Sequence, residues 1–151
     1  MKVRRSNRLV DMTRYLLEHP RELVSLKYFG ERYGSAKSSI SEDLSIIRTT
    51  LADWGVGRLE TLPGASGGAR LTPLYAEENA TRVIDELVAA VNDDSRLLPG
   101  GYVYLSDLLG RPEILREVGR LVATQYVDKD VDVVMTVETK GIPIAQSVAM
   151  Y

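Results

Sequence analysis

One apolar stripe constrains the fold of this chain more than any other feature of its sequence. The stripe consists of Ile40, Leu44, Ile47 and Leu51, which are separated by four, three and four residues. An α-helix has about 3.6 residues per turn, so residues at these spacings lie along one side of a helix. The segment is therefore predicted to form a helix that buries this side in a core, and Trp54–Gly55 is predicted to end it.

Polar residues predict where this helix begins. Ser39 and Glu42 have the S-x-x-E spacing of a capping box, in which the two side chains bond to free backbone N–H groups. Asp43 follows and is expected to add a negative charge to the first turn, where the helix dipole favours it. Ser39 is accordingly expected to cap the helix.

The surrounding segments predict a complete small domain. Their expected order is a helix over 6–18, an extended piece over 22–25, a helix over 26–33, the helix with the stripe, and strands over 56–62 and 69–72. Pro20 ends the first helix, because the residue before a proline avoids helical backbone. A Gly-rich turn joins the two strands, which indicates a hairpin. This order is typical of a winged helix-turn-helix, predicted to occupy residues 1–73.

Residues 74–151 follow a different pattern. The predicted elements are a helix over 77–92, a turn at 99–101, a strand over 102–105, a helix that opens at Pro112, a strand over 131–137 and a helix from Ile142. The β-branched run over 131–137 is typical of a strand buried on both faces of a parallel sheet. The predicted fold class is therefore an α+β winged helix-turn-helix followed by part of an α/β domain, with the boundary at Pro73.

Composition excludes several classes of function. The chain has no cysteine and one histidine, which excludes disulfides and thiolate metal sites, so neither a metal nor a resident cofactor is expected. No apolar run reaches about 18 residues, and no membrane span is expected. These features fit a cytoplasmic protein.

Charge is distributed unevenly along the chain. Residues 1–74 contain 12 Lys and Arg against 8 Asp and Glu, a net charge of +4, whereas residues 75–151 have a net charge of −6. A basic first half indicates contact with a polyanion such as DNA. The alternative is chance variation in surface charge.

The segment before the stripe is the predicted contact with double-stranded DNA. In a helix-turn-helix, the second helix of the pair presents its N-terminal residues to the major groove. Here those residues include Ser35, Lys37, Ser38 and Ser39, whose hydroxyls and ammonium bond to phosphates or bases. One alternative is a serine-rich turn that only caps a core helix. Another is a module that uses this helix to bind a second protein.

Two further groups of basic residues are predicted to contact DNA, the first through its phosphates and the second through its backbone or minor groove. They are Lys2, Arg4, Arg5 and Arg8 at the start of the chain, and Arg58 and Arg70 on either side of the hairpin turn. Neutralising phosphate charge makes binding sensitive to salt. The alternatives are a solvated terminus for the first group and solvated strand residues for the second.

The loop after the predicted strand over 131–137 has the features of an anion site. Val137-Glu138-Thr139-Lys140-Gly141 has the form of a strand that runs through a short Gly-containing loop into a helix. In such loops, free backbone N–H groups point toward a ligand. Many βα turns have the same form without binding anything, which is the alternative.

Five strings of the sequence resemble the purine operon repressors of Gram-positive bacteria. They are RRSNRLVDMTRYLLEHP, ERYGSAKSSISEDLSII, PGASGGA, LLPGGYVYLSDLLG and VDVVMTVETKGIPIA, and the resemblance runs through most of the 151 residues. It implies a winged-helix domain over 1–73 joined to a type I phosphoribosyltransferase-like effector domain. Of this second domain the chain would hold the first part, over 74–151, truncated at Tyr151.

The resemblance also implies a function. Members of this family act as homodimers that bind paired operator sites and repress genes of purine synthesis and transport. Their second domain senses phosphoribosyl pyrophosphate, for which guanosine tetraphosphate competes, and is not known as an enzyme. By resemblance, Thr139, Lys140 and Gly141 form the pyrophosphate loop, which often holds a non-proline cis peptide bond. Tyr102 would lie near the effector pocket and either stack on a base or remain an ordinary strand tyrosine.

One departure from the family concerns the effector pocket. The sequence has no pair of adjacent acids followed by Gly-Gly-Thr, the loop that grips ribose 5-phosphate and its metal in the family. We therefore expect this chain to bind phosphoribosyl pyrophosphate poorly or not at all. The alternative function, a purine phosphoribosyltransferase with an accessory N-terminal module, is disfavoured on the same ground, because transfer needs that loop.

Overall fold

The helices and strands fall into two units in the computed structural model, which describes residues 3–64 and 67–151. The units are Met1–Pro73 and Leu74–Tyr151. The first contains α1 (Arg5–Glu18), β1 (Val24–Ser25), α2 (Leu26–Tyr33), α3 (Lys37–Asp53), β2 (Gly57–Leu62) and β3 (Gly68–Pro73). The second contains α4 (Glu77–Val91), β4 (Leu97–Leu98), β5 (Tyr102–Val103), α5 (Ser106–Leu109), α6 (Pro112–Gln125) and α7 (Gly141–Val148).

Helix α3 supplies the centre of the core of the first unit. All four residues of the stripe are buried, which confirms the predicted helix. Apolar residues of the other two helices and of the sheet complete this core: Met12, Leu16, Phe29, Tyr33, Leu59 and Leu71. Full burial of one large apolar side chain contributes about 1.5 to 3 kcal/mol, so this shared core joins the three helices and the sheet into one unit.

The start of α3 differs from the prediction. Gly34 ends α2 in the left-handed conformation (φ 59°), which glycine adopts without strain. Only Ser35 and Ala36 separate it from Lys37, where α3 begins, and Ala36 makes no capping bond with its side chain. The predicted capping box is wrong, because Ser39 lies inside the first turn of the helix rather than before it.

The three strands of the first unit form an antiparallel sheet in the order β1-β3-β2. The hairpin of β2 and β3 is the one that the sequence predicts, with Leu62 opposite Gly68 next to its turn. Gly68 also lies opposite Ser25 of β1. A side chain at this position would clash with the backbone of Val24, so the close approach of β1 and β3 requires glycine. We call residues 57–73 the wing.

Helix α6 makes most of the contacts within the second unit. Gly119 of α6 lies directly against Ser147 of α7, and the Ser147 hydroxyl donates to the backbone carbonyl of Leu115 at 2.6 Å. The Tyr75 hydroxyl donates to the carboxylate of Glu117, and burial raises the pKa of Tyr75 to about 12. Within the parts of the chain that the structure describes, no helix has both the length and the apolar character to cross a membrane.

Residues 131–137 do not form the predicted strand. The segment has no regular secondary structure, and Val133, Met135 and Val137 are 71%, 89% and 83% exposed. A strand requires hydrogen bonds to a neighbour, and within residues 3–64 and 67–151 neither sheet includes this segment. The prediction is wrong because an apolar β-branched run indicates a tendency to be buried but not the partner that would bury it.

The predicted strand over 102–105 is shorter than expected. Only Tyr102 and Val103 form β5, and they pair antiparallel with Leu98 and Leu97 of β4 across the turn at 99–101. The element is therefore a short hairpin rather than a strand of a larger sheet.

Candidate nucleic-acid interface

The first turn of α3 presents polar side chains to solvent. Lys37 and Ser38 are exposed, and Ser39 is half-buried. Neither a capping side chain nor an acidic residue occupies this end of the helix. Its free backbone N–H groups and the positive end of the helix dipole are therefore available to an anion. Backbone phosphates of a nucleic acid supply such anions.

A groove of about 570 Å³ separates this first turn from the wing. Lys37 lines one side, and residues 61–64 and 67 of the wing line another. Lys27 and Glu31 of α2 also line the groove and pair with each other, with Nζ and Oε1 3.7 Å apart. Because Glu31 offsets the charge of Lys27, the positive charge of the groove comes mainly from Lys37.

Arg8 has a different role from the predicted one. Its side chain is 6% exposed, and its Nε donates to the completely buried carboxylate of Asp43. Its Nη1 also donates to the Ser35 hydroxyl at 2.9 Å. The prediction that Arg8 contacts phosphate is corrected, because burial and pairing remove its charge from the surface. The prediction for Asp43 is also wrong: Asp43 does not lie in the first turn of α3, and its carboxylate instead connects α3 to α1.

The other basic residues at the start of the chain differ in exposure. Arg5 is half-exposed, and its guanidinium donates to Asp43 at 3.0 Å and to Glu42 at 3.4 Å. These bonds hold Arg5 beside α3 but also offset part of its charge. Arg4 is exposed. The predicted contact at Lys2 lies outside the described residues.

The two arginines of the wing share one carboxylate. Arg70 lies opposite Glu60 in the hairpin, with Nη2 and Oε2 3.4 Å apart. The Nε of Arg58 lies 4.0 Å from the same carboxylate. Arg58 is opposite Thr72, near the end of the hairpin that is remote from its turn. The expectation that Arg58 lies beside the wing turn is therefore wrong. Glu60 offsets part of the positive charge of Arg58 and Arg70.

Arg48 is a residue of this region that the sequence analysis does not identify. It lies on α3, and its guanidinium donates to the Leu59 carbonyl at 3.0 Å and to the Thr61 hydroxyl at 2.5 Å. Both acceptors belong to the wing. The sequence does show that Lys37 and Arg48 are the two basic residues of α3, which could have drawn attention to Arg48. Its contact with β2 can be seen only in the folded structure.

The residues assigned to an effector lie on separate elements of the second unit. Tyr102 of β5 is 71% exposed. Thr139 and Lys140 are exposed residues of a turn, and Gly141 is the first residue of α7. The peptide bond between Glu138 and Thr139 is cis. The loop therefore leads directly into a helix N-terminus, the arrangement expected of an anion site, while a bound effector stays a prediction.

Three helices with a wing, and a groove between the wing and the exposed start of the third helix, define a winged helix-turn-helix of the DNA-binding type. Comparison with known proteins identifies the family. Residues 4–73 match the family model described as the N-terminal domain of the bacterial purine repressor. Residues 4–73 belong to that domain family, and the chain as a whole is similar to the N-terminal portion of purine repressor-type proteins.

Curated relatives extend the similarity over the second unit. The purine biosynthesis transcriptional repressor PurR of Bacillus subtilis is 52% identical over 151 residues, which are 100% of this chain and 53% of that protein. The purine biosynthesis transcriptional activator PurR of Lactococcus lactis subsp. lactis is 48% identical over 147 residues, 97% of this chain and 54% of that protein. The chain therefore spans about half the length of these relatives.

Proposed function

We propose that this protein binds double-stranded DNA at control regions of purine biosynthesis genes and thereby regulates their transcription in the cytoplasm. The observation that carries this proposal is the exposed, uncapped start of α3, with Lys37, beside the groove that the wing lines. The names of the relatives support the purine genes as the target. One relative is called a repressor and another an activator. We therefore propose regulation of these genes in general, and repression as its specific form.

The proposed binding mode places α3 in the major groove. Lys37, Ser38 and Ser39 contact base edges and nearby phosphates, and the wing follows the adjacent backbone. Arg4 and Arg5 add phosphate contacts from the start of α1. Operator DNA of two-fold symmetry would be bound by a homodimer, since such symmetry in DNA mirrors that of its protein.

Titration of labelled duplexes with the chain tests DNA binding. One duplex carries the control region of a Bacillus subtilis purine biosynthesis gene, and a second carries the same bases in shuffled order. We expect tighter binding to the first duplex at every salt concentration, and a linear fall of log affinity with log salt, because phosphate contacts release counterions. Equal affinity for the two duplexes would exclude sequence-specific regulation by this chain.

The second unit is proposed to respond to a phosphorylated ribose effector such as phosphoribosyl pyrophosphate or guanosine tetraphosphate. Thr139, Lys140 and Gly141 would hold its pyrophosphate at the start of α7, and Tyr102 would lie near its base. The relatives are named as transcription regulators, which supports a sensing rather than a catalytic role. Calorimetry with phosphoribosyl pyrophosphate is expected to show weak or no binding to these 151 residues, and a micromolar dissociation constant would contradict this expectation.

A further inference from the structure

We propose that Arg48 is a positioning residue for DNA binding: it holds the wing against α3 and so sets the width of the groove between them. The proposal rests on the DNA-binding function proposed above. Arg48 itself need not contact DNA in this role. It acts through Thr61 and the wing residues that follow, which line the groove.

Two hydrogen bonds give Arg48 its hold on the wing. Its Nε donates to the Leu59 carbonyl at 3.0 Å, and its Nη2 donates to the Thr61 hydroxyl at 2.5 Å. The donors of a guanidinium lie in one rigid plane, so two bonds fix direction as well as distance. An ammonium, as in lysine, has no such fixed pair of donors.

The position of β2 in the sheet explains why this hold is needed. In the order β1-β3-β2, the strand β2 lies at an edge, so one side of its backbone has no neighbouring strand within the described residues. The Leu59 carbonyl that Arg48 binds accepts a bond from α3 on that side. The Leu59 side chain is buried, whereas Thr61 is exposed, so core packing holds the strand at residue 59 and weakens toward the turn.

Both sides of the groove are thereby connected through one helix. The first turn of α3 supplies Lys37 on one side, and Arg48, further along the same helix, holds Thr61 on the other. A wing held in place before binding loses less conformational freedom when DNA is bound, which favours affinity. Loss of the hold leaves the wing folded but free to shift, and the cost of ordering it then reduces affinity.

A double-mutant cycle tests the positioning role. Arg48→Met, Thr61→Val and the double variant of the chain are titrated with the two duplexes described above by fluorescence anisotropy. We expect each single substitution to weaken binding to the purine control region about tenfold. The double variant is expected to bind no more weakly than the weaker single variant, because both substitutions break one connection. Arg48→Lys is expected to bind as weakly as Arg48→Met.

Controls separate positioning from loss of charge and loss of fold. Arg14→Met also removes one positive charge from an exposed, ion-paired arginine of the first unit, and it is expected to keep affinity within about twofold. Thermal unfolding of every variant sets a temperature at which all are folded. Restoration of affinity by Arg48→Lys, with additive effects of the two single substitutions, would instead indicate a direct phosphate contact and overturn the positioning role.

The experiments distinguish failure of the positioning role of Arg48 from failure of the proposed DNA-binding function. Unchanged affinity of Arg48→Met for the purine control region would overturn the role of Arg48 alone. Equal binding of the unsubstituted chain to the control region and the shuffled duplex would overturn the proposed regulatory function, and the inference that rests on it.

Discussion

At the scale of single residues, carboxylate partners divide the basic side chains into those that keep an exposed positive charge and those that hold the fold. Lys37 is exposed at the start of α3, whereas Arg8 is buried against Asp43. Arg5 lies between these extremes, half-exposed and bonded to Asp43 and Glu42. A buried ion pair contributes its stability only while both partners are present, so Arg8 and Asp43 must be considered together.

Replacement of Lys37 tests the contact with DNA directly. Lys37→Ala is expected to weaken binding to the purine control region by about 1 to 3 kcal/mol if the ammonium contacts a base. A contact with phosphate alone would also reduce the slope of log affinity against log salt by about one. Anisotropy titrations over a range of salt measure both quantities. Lys129→Ala in the second unit is the control, and an unchanged isotherm for Lys37→Ala would remove it from the interface.

Replacement of Arg8 tests its role in the fold. Arg8→Met is expected to lower the free energy of unfolding of the first unit by about 3 kcal/mol, because it leaves the buried Asp43 carboxylate without its closest partner. Arg5→Met, at a half-exposed site, is expected to cost less than about 1 kcal/mol. Urea unfolding followed by the fluorescence of Trp54, the single tryptophan, measures both. Equal effects of the two substitutions would contradict the buried role of Arg8.

The sequence predicts which side chains of the candidate interface are exposed better than it predicts which partners each side chain binds. Exposure of Lys37 and Ser38 follows from their position at the start of an amphipathic helix and outside its apolar stripe, which is local information. The pairing of Arg8 with Asp43 joins residues 35 positions apart, and no local pattern indicates it. The same holds for Arg48, whose acceptors lie on β2.

At the scale of elements, periodic helices are predictable because their pattern and their hydrogen bonds are both local. The predicted helix over 26–33 has the bounds of α2, and the stripe of α3 is buried along its length. The prediction of a strand over 131–137 fails for the opposite reason, since the hydrogen-bond partners of a strand must come from a distant part of the chain. The predicted start of α3 is wrong because Lys37 and Ser38 already adopt helical backbone, so the helix begins two residues before Ser39.

The link between α1 and α2 gives a prediction about pH. The pKa of Asp11 is lowered from 3.8 to about 2 by hydrogen bonds from Arg14, Arg32 and Tyr33. The bond from Arg14 has the largest effect. The ionised carboxylate therefore stabilises the fold above pH 3.8, and this contribution is lost as the pH falls toward about 2.

Substitution of Asp11 checks this dependence. Asp11→Asn is expected to lower the free energy of unfolding at pH 7 by about 1 kcal/mol, allowing for solvent screening of a partly exposed group. The difference from the unsubstituted chain should shrink as the pH is lowered from about 4 to about 2. Urea unfolding at a series of pH values measures it, with the exposed Asp132→Asn as control. A difference that persists at the lowest pH would show that Asp11 stabilises the fold by other means.

At the scale of the whole molecule, the two units differ in how completely they bury their apolar residues. The first unit has a continuous core, whereas the second leaves many large apolar side chains exposed, among them Ile84, Val88, Val133, Met135 and Val137. Exposed apolar surface of this extent favours association.

Self-association of the chain is the expected consequence. We expect the average mass in sedimentation velocity to rise with protein concentration. A Val133→Lys/Met135→Lys double variant should associate less, because it adds charge to the most exposed apolar segment. Val10→Lys, at an equally exposed valine of α1, is the control. Equal loss of association in both variants would show that residues 131–137 are not the contact.

The tight contact between Gly68 and the backbone of Val24 limits which wings this scaffold accepts. Pro63, nearer the turn, is exposed and leaves room for other side chains, whereas Gly64 has a positive φ of 111° that other residues adopt only with strain. At position 68 even one methyl group would push β3 away from β1. A library that randomises the wing should therefore recover varied residues at exposed positions such as Pro63 but retain glycine at positions 64, 67 and 68.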